Sequence, residues 1–414
     1  MRPVSPHLDA QVILNPPPLA DAAPASLPQR LVSLDACRGA IMLMMASAAL
    51  GVGAVASAYR DVGWLRAVAW QCEHAPWAGF RVWDIIQPAF MFMVGVSLPF
   101  SLASRRARGQ GLARLIAHAL WRSAVLVLLA VFLTSAYDKT TVWSFANVLA
   151  QIGLGYPVLF LLALARPRIQ WIAALGILLA YWAAFALYPL PPADFDWASV
   201  GVPANWPHLS GLAAHWDKNY NFAAAADQWL LNLLPHDKPF VFNRGGYQTL
   251  NFVPSIATMT FGLLAGGLLK SGRSIPRKLG WLILLGTAGA ALGWAIDAAG
   301  LCPMVKRIWT PSWAICSAGA AALVLAGFVA IIEGIGLKKW AFPFVVVGLN
   351  PITLYVLWQL SSGFIKETLR IHLGRDIFQI AGAPYAPMLE RGTVLVILWL
   401  VVWWMYRRKV FVRI

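Results

Sequence analysis

The sequence predicts an all-α protein, a polytopic transmembrane helical bundle with about ten spans. Hydrophobic residues make up 59% of the chain and charged residues 12%, about half the charged share of an ordinary soluble domain. Apolar runs of about twenty residues recur along the chain, which is the length needed to cross a ~30 Å hydrocarbon core. Short basic clusters follow alternate runs, a pattern typical of loops on the cytoplasmic side of a membrane.

The apolar runs define the predicted spans. Each is expected to be a helix, because lipid offers the backbone no hydrogen-bond partner and the runs are too long for barrel strands. In chain order they cover residues 38–58, 82–104, 115–136, 144–165, 168–190, 248–270, 278–300, 311–333, 341–361 and 391–407.

The basic clusters predict the orientation. All of them fall on one side of a ten-span arrangement, and that side is expected to be the cytoplasm, together with both chain termini. The clusters are Arg105, Arg106, Arg108 and Arg114; Arg166 and Arg168; Lys270, Arg273, Arg277 and Lys278; Lys338 and Lys339; and Arg407, Arg408 and Lys409. The predicted outer segments are then 59–81, 137–143, 191–247, 302–307 and 362–390.

Two of the segments outside the spans differ in composition. Residues 1–29 are rich in proline and alanine and lack the pattern of a signal peptide, so we expect a disordered cytoplasmic tail before a single transmembrane domain at 30–414. The outer loop 191–247 is long, and its Trp, His and Asn content argues against disorder. We therefore expect a binding mouth on the outer face.

Several classes of protein are disfavoured. The net charge of +16 comes from clusters between apolar runs, so no nucleic-acid partner is expected. The four cysteines are widely spaced, with no CxxC and no histidine at ligand spacing, so neither a metal site nor a disulfide framework is indicated. The sequence has no Walker loop or dinucleotide fingerprint, which disfavours a nucleotide-driven pump.

His74 is the first candidate for a catalytic base, because histidine titrates near neutral pH without help. It follows Glu73 and precedes a span that carries Asp84, which sets an imidazole and carboxylates at the membrane boundary. A carboxylate in or near a span is costly unless it is paired or solvated. The alternative is an interfacial anchor, with Trp77 and Trp83 among the lipid headgroups and Asp84 capping the helix. The other histidines are expected to be ordinary polar residues.

Polar residues intrude into other spans as well. Asp35 and Arg38 are three residues apart on one helical face, so they can neutralise one another. Arg122 lies some seven residues into its span and needs a partner. That partner is either a ligand phosphate near the cytoplasmic side or an acidic neighbour such as Asp35. The remaining intrusions are Gln151, Asn251, Asp297 and Asn350.

Three motifs together resemble those of one family. Residues 30–39, RLVSLDACRG, are similar to an R-x-x-S-(L/V)-D-x-x-R-G opening, and residues 74–79, HAPWAG, to H-A-x-W-x-G. Residues 84–97 are similar to D-(L/I)-x-x-P-x-F-x-F-x-(M/V)-G-x-S. These motifs are typical of the heparan-alpha-glucosaminide N-acetyltransferase family and its bacterial relatives. Shorter matches extend the resemblance over nearly all of the chain from residue 30 onward: Trp121-Arg122-Ser123, Lys306 with Trp309-Thr310 and Ser312, Gly348 with Asn350, and Arg408 to Phe411.

The resemblance implies an enzyme of the bacterial inner membrane. It would take acetyl-CoA from the cytoplasmic side and acetylate an amino sugar or glycan on the periplasmic side. The family's catalytic histidine corresponds to His74, with Asp84 or Glu73 in support. Membrane lipid is an expected partner, and a homodimer is compatible with the sequence. We expect contacts to acetyl-CoA from Arg122, Asp35, Arg38 and Gln151, and contacts to the acceptor from Trp77, Asn251, Lys306, Trp309 and Asn350.

Two positions depart from the family. An asparagine late in the first span of the vertebrate enzyme corresponds to Ala49, and an L-Q-R motif appears here as Leu149, Ala150 and Gln151. The second change puts a neutral amide where the motif has an arginine. Either loss removes part of the expected acetyl or CoA site, or marks a subfamily with another acceptor or with no acetyl transfer. The stretches 216–219 and 239–247 look characteristic of such a bacterial subgroup.

Two further functions fit the same pattern. A helical bundle with polar residues inside its spans, proline-interrupted helices and a broad outer mouth can also be a transporter or a sugar-permease-like protein. A non-catalytic scaffold of a cell-envelope pathway can keep the fold without turnover. Acetylation of an amino sugar that depends on His74 separates the enzyme from both.

Overall fold

The computed structural model describes residues 31–235 and 237–412. The predicted tail at 1–29 lies outside the described residues. Within them the secondary structure is helical, and the one β-type pairing is an isolated antiparallel bridge between Ala78 and Val305. The all-α prediction is confirmed.

Fourteen α-helices occupy the described residues. They are α1 (Val32–Ser47), α2 (Val52–Ala58), α3 (Gly63–Gln71), α4 (Ile86–Ala107), α5 (Leu112–Ser135), α6 (Val148–Leu164), α7 (Pro167–Ala186), α8 (Phe222–Leu231), α9 (Phe252–Lys270), α10 (Ile275–Ala298), α11 (Pro311–Val329), α12 (Phe342–Leu349), α13 (Pro351–Leu373) and α14 (Ala386–Arg407). All ten predicted spans coincide with helices from this set.

The described helices include eight segments, some continued by short turns, that are long and apolar enough to cross a membrane. α12 and α13 pass the same test only as a pair, bent by 71°. The apolar helix α6 has 17 residues, or roughly 26 Å at 1.5 Å per residue, slightly less than a typical hydrocarbon core. The chain is therefore a multi-pass helical membrane protein, with eight long spans, a bent ninth and a short tenth candidate in place of ten equal ones.

The first predicted span is not one continuous helix. α1 ends at Ser47, and Ala48, Ala49 and Leu50 follow with φ angles of 45°, 56° and 46° before α2 begins. Left-handed backbone is unfavourable for residues other than glycine. Because the residues at this break are apolar like the helices around them, hydropathy gives no sign of it. Arg391 of α14 donates a hydrogen bond of 2.6 Å to the carbonyl of Ala48 and holds the turn against the last helix.

The ninth predicted span, 341–361, also differs. The chain bends at Asn350, because Pro351 has no N–H to continue α12 and starts α13 instead. α13 then runs to Leu373, so the first part of the predicted outer segment 362–390 is helical. α12 packs along α1, where the carbonyl of Asp35 would lie 1.9 Å from a Cβ at Gly348.

Two apolar clusters position the site. The larger one joins α1, α4, α6, α9 and α11 in the centre of the bundle. A smaller, mainly aromatic cluster joins the end of α7 to the segments around Trp77, Trp216 and Val305. Glycine lets two of the central helices touch, since a Cβ at Gly95 of α4 would lie 1.8 Å from the carbonyl of Met259 in α9.

Candidate active site

The predicted outer segments meet at one end of the bundle, which we call the His74 end. The indole N–H of Trp77 donates to the carbonyl of Trp216 at 3.0 Å, and this joins segment 59–81 to the long loop. The N–H of Gly79 donates to the carbonyl of Met304 at 2.8 Å. The other two segments join through Tyr59 with Tyr385, whose ring centroids are 5.9 Å apart, and through Thr140, whose hydroxyl donates to Asp237 at 3.5 Å.

His74, Asp84 and Lys306 form a compact polar cluster at this end. The Nδ1 atom of His74 lies 2.6 Å from Oδ1 of Asp84. The ammonium of Lys306 lies 3.1 Å from that same oxygen and 3.1 Å from Nδ1 of His74. The other carboxylate oxygen of Asp84 accepts a hydrogen bond of 3.1 Å from the N–H of Ala75. Three segments distant in sequence thus meet at one carboxylate.

These contacts assign the proton on the imidazole. Oδ1 of Asp84 has no proton to give when it accepts from the Lys306 ammonium, so Nδ1 of His74 donates to it. The short distance between Lys306 and Nδ1 follows because both groups donate to one oxygen. Nε2 of His74 then carries a free lone pair. An imidazole in this tautomer, oriented by a carboxylate, can act as a general base.

Burial differs sharply within the cluster. The side chain of Asp84 is 1% exposed and that of Lys306 is 7% exposed, whereas that of His74 is 43% exposed. Burial lowers the pKa of the Lys306 ammonium, and the negative charge of Asp84 opposes that shift. The cluster therefore combines a buried ion pair with an accessible imidazole.

Glu73 does not take part in this cluster. Its carboxylate is 61% exposed and lies 3.2 Å from the guanidinium of Arg81. Asp84 is therefore the carboxylate that supports His74, and the sequence alone left this choice open. The interfacial-anchor alternative also fails, because Trp77 is buried and no capping bond from Asp84 begins its helix.

Three of the predicted acceptor residues surround the turn that presents Lys306. The side-chain amide of Asn251 donates to the carbonyl of Arg307 at 2.7 Å, and its Oδ1 is buried with no partner among the described residues. Trp309 is fully buried, has a φ of 47°, and donates from its indole to Thr258 at 3.1 Å. Asn251 and Trp309 thus fix the turn on which Lys306 lies, and Trp77 packs beside it in the aromatic cluster.

Asp35, Arg38 and Asn350 lie elsewhere, at the opposite end of the bundle. Asp35 and Arg38 form the expected ion pair at 2.8 Å, and Nε of Arg38 also donates to the carbonyl of Gly348 at 2.9 Å. The side chain of Asn350 donates to the carbonyl of Val410 at 2.9 Å and joins the chain after α14 to the bend. The structure does not bring these three residues to His74.

Polar side chains continue from the cluster into the bundle. Gln87 lies one turn after Asp84 and donates a hydrogen bond of 3.0 Å to Oε1 of Gln151 on α6. Gln151 is fully buried and donates in turn to the carbonyl of Ala146 at 3.1 Å. The position at which the family's arginine is replaced therefore holds an amide pair that joins α4 to the start of α6.

A basic group lies deeper between α4, α5 and α6. The guanidinium of Arg122 lies 4.6 Å from the ring centroid of Tyr156 and 3.3 Å from its hydroxyl, and its Nε is buried without a partner among the described residues. The structure does not pair Arg122 with Asp35, which the sequence offered as one of two alternatives for its partner. Arg105 lies 2.5 Å from the imidazole of His118, which the sequence indicated only as an ordinary polar residue.

The fold and the site define a multi-pass helical membrane protein with a cluster of histidine, aspartate and lysine side chains at one end of the bundle. Comparison with known proteins shows which proteins it is related to. No family model matches the chain. The chain is 24% identical to human heparan-alpha-glucosaminide N-acetyltransferase over 438 residues, which cover 94% of this chain and 61% of that protein. It is 23% identical to the mouse protein of the same name over 371 residues, which cover 79% of this chain and 53% of that protein. The chain is a relative of these N-acetyltransferases and spans about three fifths of the human protein's length.

Proposed function

We propose that this protein is a transmembrane acetyltransferase of the bacterial inner membrane. It moves an acetyl group from cytoplasmic acetyl-CoA to the amine of an amino sugar on the periplasmic side. The observation that carries the proposal is the imidazole of His74 at an accessible end of the bundle. Asp84 holds it through Nδ1 at 2.6 Å, and Nε2 has no partner among the described residues. The similarity to membrane N-acetyltransferases supports the same reaction.

The cluster suits the proton transfer that this reaction needs. The sugar amine attacks the thioester carbonyl, the C–N bond forms, and the C–S bond breaks. The amine gives up its proton to Nε2 of His74, and the departing CoA thiolate accepts a proton in return. Asp84 stabilises the imidazolium that forms and holds the ring in the productive tautomer. Lys306 balances the buried charge of Asp84, so the carboxylate stays ionised.

The basic group in the bundle suits the phosphates of CoA. Arg122 has a buried Nε without a partner among the described residues, and Arg105 and His118 lie together nearer the other end of α4 and α5. Guanidinium groups bind phosphate with bidentate geometry. From Gln87 to Arg105 along α4 is roughly 27 Å at 1.5 Å per residue. Asp35 and Arg38 would act indirectly, by positioning α1 against α12 at the end of the bundle opposite His74.

The proposal is tested with purified protein in detergent, labelled acetyl-CoA and glucosamine as the acceptor. We expect the wild-type chain to form acetylated sugar and His74→Ala to reduce turnover by at least about 100-fold, the range that a general base supplies. Glu73→Gln is the matched control, since it changes the adjacent carboxylate, which pairs with Arg81 instead. It should keep turnover within about threefold of wild type, less than 1 kcal/mol in barrier height.

Binding of CoA provides the second readout. CoA should raise the melting temperature of wild type and of His74→Ala equally, because a ligand that prefers the folded state stabilises it. Arg122→Ala should lose most of that rise. Turnover that survives in His74→Ala would contradict the proposal. Accumulation of sugar in liposomes without CoA would indicate a transporter, and neither transfer nor accumulation would indicate a scaffold.

A further inference from the structure

A groove of about 570 Å³ opens on the outside of the bundle between α7, α9, α10 and α11. Trp171 of α7 and Phe261 of α9 form part of its wall, with ring centroids 5.5 Å apart. The buried ring of Phe92 from α4 also lines it. All of these helices except α4 run along the groove as candidate spans, and its volume lies within the ~300–1,000 Å³ typical of ligand sites.

Small residues create this groove. α10 lies very close to α11, since a Cβ at Gly293 would lie 2.5 Å from the carbonyl of Ser312. Beside that contact, the helices face one another through the methyl groups of Ala265, Ala288 and Ala318, which are too short to fill the space. Protein interiors are close-packed, so a gap of this size between spans calls for an occupant.

The length of the groove matches one leaflet of a bilayer. Along α10, its lining extends from Trp281 to Leu292. These eleven residues correspond to roughly 17 Å at 1.5 Å per residue, and half of a ~30 Å hydrocarbon core is about 15 Å. The groove therefore has the length of an acyl chain that belongs to one leaflet.

Two tryptophans mark one end of the groove. Trp171 lies four residues after the start of α7, and Trp281 lies six residues after the start of α10. Both helices begin at the end of the bundle opposite His74. The two indoles are 38% and 43% exposed, and neither N–H has an acceptor among the described residues. Tryptophan at this depth favours the headgroup region, where its N–H can reach the polar part of a lipid.

Basic side chains surround the same end. Arg273 is the only charged residue among the described residues that line the groove. It is exposed, and no ion pair or hydrogen bond engages its guanidinium within the described part of the chain. Arg166 and Arg168 flank the first residue of α7, which lines the groove as well. This end therefore offers positive charge to a ligand.

Acidic residues do not offset this charge. The sequence contains none in residues 139–193 or 238–296, the stretches that include α7, α9 and most of α10. Glu333 follows α11, but it accepts a hydrogen bond of 3.2 Å from the backbone N–H of Ser33 on α1 and does not line the groove. An anionic headgroup is therefore the complementary one, because each nearby Arg or Lys attracts anionic lipid.

We propose that this groove binds one anionic phospholipid, with an acyl chain between the four helices and the phosphate at Arg273. The headgroup provides the selectivity, because an acyl chain gains little when it leaves other lipid chains for an apolar groove. α10 and α11 are joined by the segment that carries Lys306, so the lipid supports the helix pair that presents this residue. Binding at this site does not depend on acetyl transfer.

The test measures lipid binding to the full chain in detergent by native mass spectrometry, with phosphatidylglycerol and phosphatidylethanolamine of identical acyl chains. We expect the first phosphatidylglycerol to bind at least about fivefold more tightly, the effect of about one basic side chain near a headgroup. Arg273→Gln should lower this preference about fivefold. Arg408→Gln is the matched control, because Arg408 is exposed after α14 at the same end of the bundle and does not line the groove.

A second pair of variants tests the acyl-chain part of the site. Ala288→Trp places an indole in the groove and should weaken the binding of both lipids at least about fivefold. Ala291→Trp is its control, since Ala291 is exposed on the same helix and lies outside the lining. It should bind both lipids as the wild-type chain does.

Equal binding of the two lipids by the wild-type chain would overturn the proposal, as would an unchanged preference in Arg273→Gln. If inorganic phosphate raised the melting temperature as much as phosphatidylglycerol, the site would bind an anion without an acyl chain, which would also overturn it. A dimer that ignores lipid and is lost in Ala288→Trp would assign the groove to a second copy of the chain instead.

Discussion

The carboxylate of Asp84 organises three groups, the imidazole of His74, the ammonium of Lys306 and the N–H of Ala75. Its side chain is 1% exposed, and an ionised carboxylate is stable in such surroundings only when its partners replace the lost water. The same contacts orient the imidazole. At this scale, the stability of the fold and the proposed chemistry depend on one buried ion pair.

Asp84→Asn should therefore lower both the stability of the fold and the rate of acetyl transfer. The neutral amide leaves Lys306 as a buried cation without a counter-charge, which costs about 3 kcal/mol or more of folding free energy. It also no longer fixes the tautomer of His74, so turnover should fall at least about 100-fold. Thermal unfolding and the acetyl-transfer assay measure the two effects.

A second change separates the two effects of Asp84→Asn. Adding Lys306→Met removes the unpaired charge and should restore most of the melting temperature but none of the turnover. If Asp84→Asn kept normal turnover, the orienting role of the carboxylate would be wrong.

Part of this cluster was predictable from the sequence. The motif around His74 and a carboxylate at the start of the following span identified two of its members, because their residue types stand out in apolar surroundings. Lys306 was also singled out, but as an expected acceptor contact, and its pairing with Asp84 was not predicted. The preference for Asp84 over Glu73 was not predictable, since both lie near the imidazole in sequence and only the fold decides which one faces it. The contact between His118 and Arg105 could not be predicted, because the two residues lie on different helices.

At the scale of the elements, every span predicted from hydropathy overlaps a helix of the structure, but the breaks within two of these spans were not predicted. The left-handed turn at Ala48 to Leu50 and the bend at Asn350 are backbone features within apolar sequence, so they leave no mark on a hydropathy pattern. Proline at 351 signals a helix start, yet proline also occurs inside α4 and α6 without ending them.

The contact between α4 and α9 positions the helix that follows Asp84. Gly95→Ala would place a Cβ 1.8 Å from the carbonyl of Met259, so the two helices must separate. We expect a loss of about 1–3 kcal/mol in stability from this overpacking, with a parallel fall in turnover.

Gly176→Ala provides the matched control for Gly95→Ala. Gly176 lies within α7 with no heavy atom within 4 Å of an added Cβ, and alanine is the better helix former. Its melting temperature should equal or exceed that of wild type. Equal stability of Gly95→Ala and wild type would contradict the close approach of α4 and α9.

For the whole molecule, the positive-inside pattern predicted that segments far apart in sequence share one side, and five such segments meet at the His74 end. The pattern could not predict how they pack. The hydrogen bonds from the indole of Trp77 to the carbonyl of Trp216 and from the guanidinium of Arg307 to the carbonyl of Gly245 join residues with no shared sequence period.

The native cysteines offer a test of the proposed orientation. Cys37, Cys302 and Cys316 are buried, whereas Cys72 is partly exposed, two residues before His74. Burial raises the pKa of the Cys72 thiol, so labelling should be carried out at about pH 8 to increase the reactive thiolate. A membrane-impermeant maleimide should label Cys72 from the periplasmic side of intact spheroplasts.

The controls use the same reagent. Cys72→Ser should abolish the label. Lys338→Cys in that background, in the predicted cytoplasmic cluster, should react only after permeabilisation. Labelling of Lys338→Cys in intact spheroplasts, together with no labelling of Cys72 in the wild-type chain, would contradict the proposed orientation.

The central claim is that one chain passes an acetyl group across the membrane to an acceptor at His74. The most direct measurement uses proteoliposomes with labelled acetyl-CoA sealed inside and glucosamine only outside. The account predicts acetylated sugar in the external medium with wild type and none with His74→Ala. Product that forms only when both substrates are on the same side of the membrane would contradict it.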